Sequence, residues 1–237
     1  GRTIGLHVGW RMTFFYVALA ACVVMLLLWM MFPKVPSRNS VSLQKLPALL
    51  KTPALLAVYI LTVVAITAHF TSYSYIEPFL SQVAGLADAQ VTWVLTAFGL
   101  IGILGSVLFS RYYDRHPFAF IRFAVFGLAV FLLLLRLAAY SEQGAIALCL
   151  CWGLAITIFN LVFQSEIIQV APQATAIAMS VYSGIYNVGI GSGALIGGVI
   201  CTRLSIAEVG YVGGAIALVA CLYCARKLVP LLKSMKG

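Results

Sequence analysis

The sequence predicts an all-α membrane protein with seven transmembrane helices, and three observations predict it. Hydrophobic residues make up 63% of the 237 and charged residues 9%, with a mean hydropathy of +1.06. A soluble domain of this size carries roughly 25% charged residues to hold its surface in water, so 15 basic and 6 acidic side chains cannot cover one. Seven apolar runs approach the roughly 20 residues that cross a bilayer core, and most basic residues fall on alternate connections between them. A water-soluble globule is excluded.

The first run, about 12–32, carries no charge and is too long for the apolar core of a signal peptide. The chain begins with Gly rather than Met, and it is expected to be a piece of a longer protein. Pro33 to Thr52 is the longest hydrophilic segment, containing Pro-Ser-Arg-Asn-Ser and then Ser42-Leu43-Gln44-Lys45-Leu46-Pro47, and reads as a linker. The second run, 54–76, ends in a polar stripe before Pro78. The third, 91–109, carries Gly102, with Ser106 and Ser110 at four-residue spacing. The fourth, 118–135, holds the one charge found within a run, Arg122, near enough to the end for its side chain to reach the headgroups.

The fifth run, 145–163, carries Trp152, Thr157 and Asn160, with Gln164 just beyond. The sixth, 174–201, places Gly189, Gly193 and Gly197 on one face, which lets two helix backbones approach closely in lipid. The seventh, 209–225, contains Cys221 and Cys224, small apolar-facing residues without a histidine to complete a metal site. Connections after residue 53 are short, so the chain divides into 1–32, a linker at 33–53, and a six-helix bundle at 54–237.

Seven consecutive spans alternate sides, and the basic residues then separate. One side collects 11, namely Lys34, Arg38, Lys45, Lys51, Arg111, Arg115, Arg122, Arg226, Lys227, Lys233 and Lys236, while the other holds 4: Arg2, Arg11, Arg136 and Arg203. Basic loops stay in the cytoplasm, so the linker and the C-terminus are expected inside. The net charge of +9 thus reflects topology, and a nucleic-acid partner is not expected because the basic residues flank apolar spans. All six lysines lie in connections or the tail, which excludes a Schiff-base photoreceptor. His7, His69 and His116 fall at different depths, so no catalytic triad or metal cluster assembles. No enzyme activity, metal or cofactor is expected.

Ionisable and polar groups are costly in hydrocarbon and face a cavity or a partner. His69, Tyr73 and Glu77 are spaced i, i+4, i+8 and share one side of a continuous helix, with a break expected after them at Pro78. Thr157, Asn160 and Gln164 share a face of the fifth span, and the sixth carries Ser180, Ser183, Tyr186 and Asn187. Amides that both donate and accept, beside aromatic faces, suit an uncharged polyhydroxylated or mixed-polarity ligand. Interhelical hydrogen bonding is the competing explanation for any one of these residues.

Three segments resemble a known family. Gly9-Trp10-Arg11-Met12-Thr13-Phe14-Phe15 resembles the start of the sixth helix in the drug:proton antiporter branch of the major facilitator superfamily. The stretch from Leu61 to His69, the run Tyr73-Ser74-Tyr75-Ile76-Glu77-Pro78-Phe79, and Ser183 to Ala194 resemble the bacterial sugar efflux transporters, exporters of arabinose and related sugars. Ser110-Arg111-Tyr112-Tyr113-Asp114-Arg115-His116-Pro117 resembles the superfamily's cytoplasmic signature between helices eight and nine in weakened form, with Ser in place of the first Gly and the basic end lost.

The resemblance implies that the seven spans are helices six to twelve of a twelve-helix transporter in the bacterial inner membrane. The N-terminal half of that transporter would be a partner, along with a sugar substrate, protons and the bilayer. It implies a cavity wall of His69, Tyr73, Tyr75, Asn160 and Asn187, with Glu77 as a gating or proton-linked carboxylate and Asp114 and Arg115 as gate charges. Proton-coupled sugar export is the expected function. A multidrug exporter of the same fold and a non-transporting receptor or assembly subunit are the alternatives.

Overall fold

A long apolar run specifies a helix in lipid because only intrasegment hydrogen bonds satisfy its backbone, but caps and prolines decide where the helix stops. The computed structural model describes residues 10–31 and 51–236. The expected linker therefore lies outside the described residues up to position 50. The chain divides into two compact units, the first holding α1 (Trp10–Met31) and the second every later helix among the described residues. Taken by itself, α1 is an apolar helix whose only charge, Arg11, sits in its first turn.

Among the described residues of the second unit the first helix is α2 (Pro53–Tyr73), started by Pro53, whose missing N–H costs nothing in a first turn. It breaks at Ser74–Tyr75 and resumes as α3 (Ile76–Gln82). Pro78 explains the break: its ring would clash with the Ser74 carbonyl four residues earlier and it has no N–H to bond there. The interruption thus falls within the expected stripe, not after it, and the assumption of one continuous helix from His69 to Glu77 fails. Gly85, at φ 70°, then turns the chain in a region that other residues rarely enter.

The remaining helices are α4 (Asp88–Tyr112), α5 (Pro117–Ala138), α6 (Glu142–Val170), α7 (Thr175–Arg203), a single 3-10 turn (Ile206–Glu208) and α8 (Val209–Tyr223), which runs through a π turn (Cys224–Leu228) into α9 (Val229–Lys236). Gln90 closes back on the Ala87 N–H at 2.8 Å to start α4, and the Ser141 hydroxyl accepts the Gly144 N–H to start α6. The π turn directly precedes Pro230, which cannot bond the Arg226 carbonyl and widens the helix there. Two helices outrun the expected spans furthest: α6 continues to Val170 and the last helix to Lys236. Hydropathy marks where a run becomes polar, whereas a helix persists until its backbone is capped or broken. Seven helical spans are long and apolar enough to cross a membrane among the described residues.

In the second unit α2 packs along α7 and α8, α6 packs along α4 and α5, α5 and α8 pack on each other, and α2 touches α6 more lightly. Exchanging α2 with α6, α4 with α7 and α5 with α8 maps these contacts onto themselves. The unit is therefore a pair of three-helix repeats, and since each repeat crosses three times the second runs opposite to the first. Glycines allow the closest contacts in both. A Cβ at Gly189, Gly193 or Gly197 of α7 would lie 2.9 Å from Ile66, 2.6 Å from the Thr67 carbonyl and 2.5 Å from the Thr71 carbonyl of α2, respectively. In the matching contact, a Cβ at Gly153 of α6 would lie 2.8 Å from the Phe98 carbonyl of α4. On α4, Gly102 and Gly105 meet Thr157, whereas Ser106 and Ser110 face outward and bond their own helix.

Candidate functional site

Among the described residues of the second unit, polar and aromatic side chains gather at three places. The first lies where α2, α4 and α6 meet. His69 is buried and accepts the Trp152 indole N–H on Nδ1 at 3.1 Å. Its ring stacks on Tyr73 at 5.0 Å, Tyr73 lies 5.1 Å from Phe98, and Phe98 lies 5.4 Å from Trp152. Four aromatic rings thus close around one another, each pair adding up to about 1 kcal/mol beyond its burial. His69 receives its hydrogen bond from the protein, so this cluster reads as a rigid joint between helices.

Tyr75 belongs elsewhere. The break at Ser74 turns it toward α7, where its hydroxyl donates to the Ala194 carbonyl at 3.0 Å and its ring fills the space beside Gly197 and Gly198. Glu77 is exposed on α3. His69, Tyr73 and Glu77 therefore do not form one wall.

The second place is a cavity of about 370 Å³ between α6 and α7, lined by Asn160, Gln164, Met179, Tyr182, Ser183, Tyr186 and Asn187. Every polar group in this lining is an amide or a hydroxyl. Asn160 sits beside the Tyr186 hydroxyl, and Asn187 donates one amide hydrogen to the Ser183 carbonyl at 2.8 Å. The Tyr182 hydroxyl is buried near Thr62 yet makes no hydrogen bond, and the Thr62 hydroxyl donates to the Val58 carbonyl. A buried hydroxyl left unbonded is costly, and a polar ligand in the cavity would relieve that cost. The structure brings Asn160 and Asn187 together with Gln164, Ser183 and Tyr186. Thr157 turns away to α4, and Ser180 bonds the Ala176 carbonyl on an exposed face.

The third place escaped the sequence reading. Glu166 is fully buried near the end of α6 and accepts the Tyr113 hydroxyl at 2.5 Å. Burial, and then the Glu166 carboxylate, push the Tyr113 phenol well above its ordinary range, so it remains a donor. Asp114 and Arg115 are exposed in the same turn between α4 and α5. The expected span stops at 163, which put Glu166 in a connection. Ile167 and Val170 just beyond it are the signal that the apolar face continues.

The family model described as Major Facilitator Superfamily matches residues 1–183. The chain belongs to the major facilitator superfamily. It is accordingly a multi-pass membrane protein of a transporter family, not of an enzyme family. The α6–α7 cavity lies between two helices of the second repeat, with Tyr182 on its wall close to Thr62 of α2, the first helix of the other repeat. Its uncharged amides and hydroxyls are groups able to hold a small molecule.

Proposed function

We propose that the chain forms part of a secondary active transporter that exports sugars of the arabinose type by proton antiport with alternating access. The cavity of Asn160, Gln164, Ser183, Tyr186 and Asn187 is the observation that carries this reading. Its lining has no charge to select an ion, but amides that bond hydroxyls from either side and tyrosine rings that pack on sugar C–H surfaces. On this reading the seven spans are helices six to twelve, residues 1–32 close the N-terminal half, 33–53 link the halves in the cytoplasm, and 54–237 form the C-terminal bundle. The protein resides in the bacterial inner membrane with its C-terminus in the cytoplasm, as the basic connections favour.

The N-terminal half supplies the opposite wall of the cavity. His69, Tyr73 and Tyr75 act at a distance by fixing how α2 meets α6 and α7, and Glu77, Asp114 and Arg115 are gating or proton-linked groups at exposed ends. The aromatic cluster around His69 favours a second reading, a multidrug exporter of the same fold. That reading calls for an acid to attract cationic drugs, and the α6–α7 cavity offers none.

The test is Asn187→Ala in the whole transporter, expressed in cells from the start of its gene. Sugar export falls by about fivefold or more while membrane levels of the protein hold, since each lost ligand hydrogen bond costs about 1 kcal/mol or more. Export unchanged at equal expression removes the cavity from the transport route. Loss of drug resistance with sugar export intact supports the multidrug reading instead.

A further inference from the structure

We propose that the cleft between α4 and α5 is a binding site for an anionic diacyl phospholipid, with an acyl chain in the cleft and the headgroup on Arg111 and Arg115. Although α4 and α5 are consecutive and joined by a tight turn, they do not pack along each other; each leans on α6. They therefore form a V whose apex is the turn and whose floor is α6. The V encloses about 360 Å³, walled by Leu108 and Tyr112 on one side and Phe120 and Phe123 on the other, over Leu154 and Ile158. This lining is almost wholly apolar, so water in it would lack hydrogen-bond partners. An acyl chain from the surrounding bilayer does not need them.

Charge selects the headgroup. The Arg111 guanidinium lies 5.9 Å over the ring of Tyr112, itself a wall of the cleft, which puts a cation at the mouth. Arg115 and Arg122 are exposed at the same end, and the Lys233 ammonium lies 5.7 Å from the nearby Phe118 ring. Two acids occur there: Asp114 is exposed, while Glu166 is buried and bonded to Tyr113. Cations thus outnumber acids where a headgroup would rest. A zwitterionic headgroup brings its own cation into that crowd, whereas an anionic one supplies only the missing charge, and basic pockets between helices recognise such lipids.

The experiment uses the full chain in detergent micelles with phosphatidylglycerol and phosphatidylcholine of identical acyl chains, at equal concentration. Lipid retained by the protein is read by native mass spectrometry. Phosphatidylglycerol is retained over phosphatidylcholine, and Arg111→Gln with Arg115→Gln removes that preference by roughly fivefold per arginine. Ala119→Trp, which fills the cleft, lowers retention of both lipids. Equal retention by the parent protein, or a preference that survives both arginine substitutions, overturns the proposal. A phosphatidylglycerol with a photoreactive acyl chain gives a second reading that needs no variant. It labels Leu108, Phe120, Leu154 and Ile158, and labelling spread evenly over the exposed Leu100 and Ile103 of α4 contradicts the site.

Discussion

Glu166 owes its burial to seven further residues of helix beyond the expected span, and to one hydroxyl from the α4–α5 turn. A hydrogen bond to a charged group contributes about 1.5–3 kcal/mol, so Tyr113→Phe lowers the thermal unfolding temperature of the purified chain by several degrees. Glu166→Gln is milder, because the amide still accepts the hydroxyl and the buried charge is gone. A Tyr113→Phe protein as stable as the parent contradicts the pairing. Tyr182 gives the opposite expectation: its hydroxyl bonds nothing, so Tyr182→Phe leaves stability within about 0.5 kcal/mol and weakens only ligand binding, measured by ligand-dependent shift in unfolding temperature. Asn160 and Asn187 were legible because an amide within an apolar run is conspicuous. Glu166 was not, because a charge at the edge of a run looks solvated until the helix is seen to continue. Tyr182, aromatic among other aromatics, gave no sign that its hydroxyl would be buried without a bond.

At the scale of the elements, glycine position separates contact from open face. Gly193 and Gly191 lie on one helix, two residues apart, yet a Cβ at Gly193 would meet the Thr67 carbonyl at 2.6 Å while one at Gly191 meets nothing within 4 Å. Gly193→Ala therefore forces α7 from α2 and destabilises the chain by about 1–3 kcal/mol. Gly191→Ala leaves it unchanged or more stable by up to about 1 kcal/mol, through helix propensity alone. Thermal unfolding of the two variants in one detergent checks the pair, and equal losses contradict the α2–α7 contact. The stripe Gly189, Gly193, Gly197 was visible in the sequence; its partner was not, because nothing local names the helix across the contact. Pro78 was visible too, but its effect falls four residues earlier, at the Ser74 carbonyl, and that displacement divided the expected stripe of His69, Tyr73 and Glu77.

For the whole molecule, hydropathy and the placement of basic residues made the seven helices legible, since both depend only on chain order. The pairing of α2 with α7 and of α6 with α4 depends on the relation between two three-helix repeats, which share a packing plan without an obvious shared sequence. That plan decides which polar faces meet: it joins the face of α6 to that of α7 and leaves His69 in an aromatic joint with Trp152. On the proposed function, this cavity of amides and hydroxyls without charge holds a hydroxyl-rich substrate. The most direct measurement is efflux of labelled arabinose from cells expressing the whole transporter, with and without a proton gradient. Gradient-dependent efflux is expected, and Asn160→Ala and Asn187→Ala each reduce it by about fivefold or more. Gradient-dependent export that is indifferent to both substitutions, or no sugar efflux from well-expressed protein, contradicts this expectation.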